Sequence, residues 1–187
     1  MIRAATKDDA KGIAEIYSKI VEQTKISFET KAPTISEMEQ RVESISSKFP
    51  YLVEEIDGNI AGYSYANTHR ERSAYRWSCD VTIYISEDFR ANKIGSKLYS
   101  SLFKVLTELG YHNAYAGITL PNDASVGIHE RFEFKKIAHY NSVGFKMGAW
   151  HDVGWWELCL KDDHKAPSEP ILFPDYIKNQ GLNIYDN

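Results

Sequence analysis

Between Trp77 and Leu109 the hydrophobic period of the sequence switches once, and that switch restricts the fold more than any other feature. Val81, Ile83 and Ile85 alternate with Asp80, Thr82 and Tyr84, which gives a strand with one apolar and one polar face. From Ile94 the period is helical: Ile94, Leu98, Leu102, Val105, Leu106 and Leu109 form a stripe, with Gly110 at the C-cap position. A short basic loop joins strand to helix. It aims the first helical N–H groups and the positive helix end at one place, which makes an anion site. Arg90, Lys93 and Lys97 add cations there. On these residues alone, a phosphate site and a solvated basic helix start are equal readings. The loop is too short for a P-loop and lacks the glycines of a dinucleotide fingerprint.

The remaining segments build a mixed pattern around this unit. Ile2 to Ala5 reads as a strand, and Ile13, Ile16, Tyr17 and Ile20 mark an amphipathic helix entered at Thr6. A loop from Lys25 to Pro33 carries Phe28, and a second helix runs from Thr34 to Phe49 before Pro50. Strands at 51–56 and 60–66 flank Asp57-Gly58-Asn59, a hairpin signal. The polar stretch His69 to Ser73 precedes the strand at Trp77–Ile85. A strand at 113–119, a turn at Pro121-Asn122-Asp123, a short helix to about Arg131 and strands near 134–145 and 152–160 follow. The order β-α-α-β-β-β-α-β-α-β-β is α/β (α+β) around one sheet, without the strict alternation of a doubly wound fold. From Lys161 on, three of the six prolines and no periodicity predict an irregular tail, so the expected division is a domain at 1–160 and a tail at 161–187.

Composition narrows the setting. The 187 residues carry a net charge of −4, which argues against a dedicated nucleic-acid binder. There is no apolar run of membrane-spanning length and no secretory signal pattern at Met1 to Asp9. Cys79 and Cys159 lie far apart, as expected of reduced thiols in a cytoplasmic protein with no metal site.

The loop Arg90-Ala91-Asn92-Lys93-Ile94-Gly95-Ser96 resembles the pyrophosphate-gripping Gln/Arg-x-x-Gly-x-Gly/Ala segment of the GNAT acetyltransferase superfamily, with Lys93 where the family has glycine. Three further blocks are similar to its phosphinothricin N-acetyltransferase branch: 75–80, 120–130 and 144–156. The resemblance covers about residues 1 to 160. Glu133 is a second departure, since the family usually has glycine there. If the backbone at Lys93 needs a positive φ, lysine costs on the order of 1 kcal/mol.

The resemblance implies a GNAT fold: a central, mostly antiparallel sheet of six to seven strands with about four helices. It implies an N-acetyltransferase using acetyl-CoA as acetyl donor, no metal, and a homodimer. Asp80 falls at the position of the catalytic carboxylate, one methylene shorter than the family's glutamate, and His129 where a residue protonates the CoA sulfur. Ile83, Tyr84 and Ile85 would offer backbone groups to the acetyl-pantetheine arm. The segment Arg90 to Ser96 would hold the pyrophosphate, and Asn122 and Ser125 would complete the cofactor site. Arg70, Tyr75 and Arg76 are candidates for a substrate anion clamp, because arginine forks suit carboxylates and phosphinates, and Phe28 for the pocket wall. Each has a plainer role as core, cap or solvated loop residue. The expected reaction is direct acetylation of the α-amine of a small amino acid or analogue, of phosphinothricin or methionine-derivative type, in a ternary complex. Peptide N-termini or other small amines, or CoA binding with little catalysis, are the alternatives.

Overall fold

A computed structural model describes residues 1–89, 93–163 and 166–180. In chain order its elements are β1 (Ile2–Ala4), α1 (Ala10–Gln23), α2 (Ile35–Ser46), β2 (Tyr51–Ile56), β3 (Asn59–Thr68), β4 (Ser78–Ile85), α3 (Ile94–Leu109), β5 (Asn113–Leu120), α4 (Asp123–Arg131), β6 (Lys135–Lys146), β7 (Ala149–Cys159) and α5 (Phe173–Gln180). One seven-stranded sheet has the order β1-β2-β3-β4-β5-β7-β6. Among the described residues only the β4–β5 pair is parallel.

Local chemistry accounts for the element ends. Thr34 and Glu37 form a reciprocal capping box at the start of α2. Asp57 (φ 51°) and Gly58 (φ 76°) make the two-residue hairpin turn between Ile56 and Asn59, both in the left-handed region that such a turn requires. Gly110 ends α3 at φ 97°.

Apolar side chains fill both faces of the sheet. The stripe of α3 packs on one face with Leu52, Ala66, Val81 and Trp156. On the other face α1 and α2 cover Tyr51, Val53 and Tyr63. The stretch after Lys161, expected to be irregular, carries α5. Phe173 is 1% exposed inside the α3-side core beside Tyr176. The Phe173 N–H donates to the Lys48 carbonyl and the Ile171 N–H to Leu109. Burying one such ring contributes about 1.5–3 kcal/mol, enough to hold a short helix that propensity alone would not.

Candidate active site

Strands β4 and β5 share three rungs, Ser78 with Asn113, Cys79 with Ala114 and Asp80 with Tyr115. Past that point β4 continues on β3 as far as Ile85, while β5 continues on β7 as far as Leu120. The two strands therefore part in the middle of the sheet. The opening is a cleft of about 80 Å³ walled by 81–84 and 116–119, with Tyr99, Asn122, Ser125 and His129 also lining it. A larger cavity, about 620 Å³, lies between the outer side of α1, the β2–β3 turn and 85–89. Its walls mix both charge signs, and neither Asp80, His69, Tyr99 nor His129 reaches it. The splayed strands, not the larger volume, collect the chemistry.

On one side of the split stands Asp80. The His69 Nδ1 lies 2.6 Å from its Oδ1, a pair missing from the sequence reading, which left His69 in a polar connection. The antiparallel register explains the contact: Asn67 faces Asp80 and Thr68 faces Cys79, so the chain leaving β3 turns back over β4. The His69 ring stacks on Tyr115 (4.3 Å, 18°), with Tyr75 and Trp155 edge-on at 6.2 and 6.3 Å. The His69 and Asp80 side chains are 13% and 32% exposed. Burial pushes the Asp80 carboxyl up, and the hydrogen bond with His69 pulls against it. The Tyr115 hydroxyl donates to Glu157 at 2.8 Å and is itself pushed up to about 12, first by burial.

His129 sits across the cleft and is 3% exposed. Its Nδ1 is 2.7 Å from the Ser125 carbonyl, which only accepts, so Nδ1 carries the proton. Its Nε2 then accepts from the Tyr99 hydroxyl at 2.8 Å. Burial lowers the imidazole's pKa and favours the neutral form. In this arrangement the ring's one N–H is donated to Ser125. Tyr99, which lines the cleft, is the hydroxyl the sequence reading missed, because its place on the α3 stripe reads as core.

The helix start is only partly described. Arg90, Ala91 and Asn92 lie outside the described residues. Lys93 is the N-cap of α3 at φ 57°, and Glu133 stands at φ 66°, so both departures from glycine occupy left-handed backbone. A Cβ on Gly95 would come 2.7 Å from the Ile128 Cδ1; this glycine lets α3 approach α4. Ile94 is buried and Ser96 half-buried. Lys97 pairs with Glu54 at 3.6 Å. Ile83 and Tyr84 line the cleft, whereas Ile85 lines the larger cavity. The Asn122 side chain accepts from the Ser125 N–H and caps α4.

The proposed substrate residues divide. Arg70 donates to the His69 carbonyl, and its charge acts on Asp80. Arg76 does not join them: it lies over Trp77 and donates to Ser73 and to Glu169 of the tail. Phe28 packs its ring on the backbone of Gly144, where a Cβ would come within 2.2 Å of it. Lys146 holds that loop in place. It is 7% exposed, and its Nζ donates to the Val21 and Ser27 carbonyls at 2.6 and 2.7 Å.

A family model described as an acetyltransferase (GNAT) domain matches residues 2–155. The chain belongs to the GNAT acetyltransferase family. Among relatives of this GNAT enzyme, phosphinothricin N-acetyltransferase of Streptomyces viridochromogenes is 34% identical over 91% of the chain and 92% of its own length. The L-amino acid N-acyltransferase MnaT of Escherichia coli is 29% identical over 89% of the chain and 96% of its own length. Among solved structures, a phosphinothricin acetyltransferase of Sinorhizobium meliloti in complex with AcCoA superposes with a TM-score of 0.87 at 30% identity, covering 100% of this GNAT chain and 98% of that one. The seven-stranded mixed sheet is the GNAT fold expected from the resemblance, with α5 as a fifth helix.

Proposed function

We propose that this GNAT enzyme acetylates the α-amine of a small amino acid or analogue, of phosphinothricin or methionine-derivative type, using acetyl-CoA. The observation that carries the reading is the split between β4 and β5, with Asp80 and His69 at its closed end and Tyr99 along its wall. Unpaired backbone of a parting strand suits an extended amide-bearing arm, which adds to it as a strand would. The relatives named for phosphinothricin and L-amino acids support the acceptor class.

Amide formation needs a neutral amine, and α-amines arrive mostly protonated at neutral pH. The carboxylate of Asp80 supplies the negative charge toward which that proton leaves. The nitrogen then attacks the acetyl carbonyl directly, and the thiolate leaves along the wall formed by Tyr99 and His129 and takes up a proton from solvent. Arg70 and Tyr75 stand beside His69 as the polar wall for a substrate anion. No step calls for a metal. A homodimer would cover the apolar side chains exposed on the β6–β7 hairpin, including Val143, Phe145, Met147 and Trp150. The two unpaired thiols, Cys79 and Cys159, fit a reducing cytoplasm.

A thiol-release assay with acetyl-CoA over methionine sulfone, phosphinothricin, common amino acids, peptides and polyamines tests the proposal. Turnover with free amino acids or analogues is expected. Turnover confined to peptides or polyamines, or cofactor binding without turnover, would refute it.

A further inference from the structure

We propose that His69, held by Asp80, is the group that takes the proton from the substrate ammonium, so that Asp80 acts through an imidazole rather than on the amine. The inference rests on the acetyltransferase reading above and deepens it at the same site.

Three observations carry it. Asp80 places Oδ1 2.6 Å from the His69 Nδ1, and an ionised carboxylate only accepts, so Nδ1–H donates and the lone pair of the ring lies on Nε2. Among the described residues Nε2 has no hydrogen-bond partner, in contrast to His129, whose two nitrogens are both engaged. The ring is also fixed in its plane by stacking on Tyr115 and by the edges of Tyr75 and Trp155. A base oriented by a third group on its far nitrogen is the arrangement that general-base catalysis requires.

The surroundings favour that division of labour. The groups facing the ring are Asp80, Tyr75 and Tyr115 with Glu157 behind it, and the Arg70 guanidinium, on the His69 carbonyl, adds a charge that acts on Asp80. The Tyr115 hydroxyl donates to Glu157 and keeps its proton, so Tyr115 is no base. Asp80 has one oxygen committed to His69, and its side chain is one methylene shorter than a glutamate's. Imidazole extends the reach of the carboxylate and retains its negative charge to stabilise the imidazolium.

The proton balance is closed. The substrate ammonium gives one proton to Nε2, and the ring passes it to solvent. The freed lone pair on nitrogen forms the C–N bond to the acetyl carbonyl carbon as the C–S bond breaks, and the sulfur leaves with its electron pair. The second proton shed by nitrogen replaces the one that the thiolate takes up.

His69→Gln keeps a donor for Asp80 but cannot accept a proton. A fall in kcat of at least ~10²-fold at pH 7 is expected, with KM for acetyl-CoA unchanged and partial recovery at pH 9, where solvent deprotonates the amine. His69→Ala should regain at least ~10-fold with added imidazole. Asp80→Asn combined with His69→Gln should be no worse than His69→Gln alone, because the two act as one unit. Nitrogen chemical shifts of the ring in the wild-type protein test the geometry without any variant, and a proton on Nδ1 with a bare Nε2 is expected. An Nε2–H tautomer at pH 8, or His69→Gln turning over within ~3-fold of wild type from pH 6 to 9, would overturn the proposal. Wild type that binds acetyl-CoA but acetylates no amine in the panel would instead sink the acetyltransferase reading, and the nitrogen shifts would still decide the pairing.

Discussion

Lys146→Met removes one ammonium and should unfasten the loop that walls the acceptor side. The Nζ of Lys146 reaches the Val21 carbonyl in the last turn of α1, where carbonyls lack helical partners, and the Ser27 carbonyl in the loop. Each hydrogen bond to a charged donor is worth about 1.5–3 kcal/mol, and desolvation of the buried ammonium offsets part of the pair. Methionine fills the space but leaves both carbonyls without that donor, so a net loss of about 2–4 kcal/mol is expected. In a chain of this length that corresponds to roughly 5–15 °C in Tm. Because the same loop carries Phe28 against Gly144, KM for the amine should rise while KM for acetyl-CoA holds. Urea denaturation and steady-state kinetics measure the two effects. Burial lowers the lysine's pKa below its ordinary 10.5, so the unfolded chain binds its proton more tightly. Wild type should therefore gain stability relative to the variant as pH rises toward that value. A stability change below ~0.5 kcal/mol with an unchanged amine KM would refute the reasoning.

Further outcomes follow from backbone and burial. Glu133→Gly relieves a left-handed residue and should stabilise by about 0.5–1 kcal/mol after glycine's unfolded-state entropy is subtracted, read as a rise in Tm. Lys93→Gly relieves the same strain. If the ammonium touches the cofactor phosphates, acetyl-CoA affinity should fall by a factor that shrinks at high salt; a salt-independent loss excludes that contact. His129 has its pKa lowered by burial, so its contribution to stability is complete above about 6.5 and is lost as pH falls below that value; His129→Gln should flatten the decline in a pH series of denaturation curves. Phe173→Ala removes a fully buried ring and should cost about 3–5 kcal/mol, which a Tm shift of only a degree would contradict.

Much of the scaffold was legible because its signals are local. The alternation in β4, the stripe of α3 and the Asp57-Gly58 turn each depend on a few neighbouring residues, and each stands where the pattern placed it. Lysine in place of the family's glycine raised the question of a positive φ at Lys93, and the backbone there stands at φ 57°. What the sequence hid depends on register and tertiary packing. His69 meets Asp80 only because β3 and β4 pair with Asn67 opposite Asp80, an offset no local pattern specifies. Tyr99 hides in an apolar stripe, and α5 exists because Phe173 finds a hole in the core between α3 and the Lys48 carbonyl. The partner of Arg76 in this structure, Glu169 of the tail, is 93 residues away in sequence and no local pattern announces it.

The parting of β4 from β5 also creates something a closed sheet lacks, a strand edge in its interior. Among the described residues, no strand bonds the backbone groups of 81–85 on the β5 side, while the β3 side of the same residues is laddered. Amides on one strand should thus exchange with deuterium in two populations, one protected and one fast. Acetyl-CoA bound along that edge should slow the fast set without touching the other. The same edge is the place where a foreign extended segment would pair if the cleft were left vacant during folding or storage. Cosubstrate added at saturating concentration during refolding should therefore suppress aggregation as well as raise Tm.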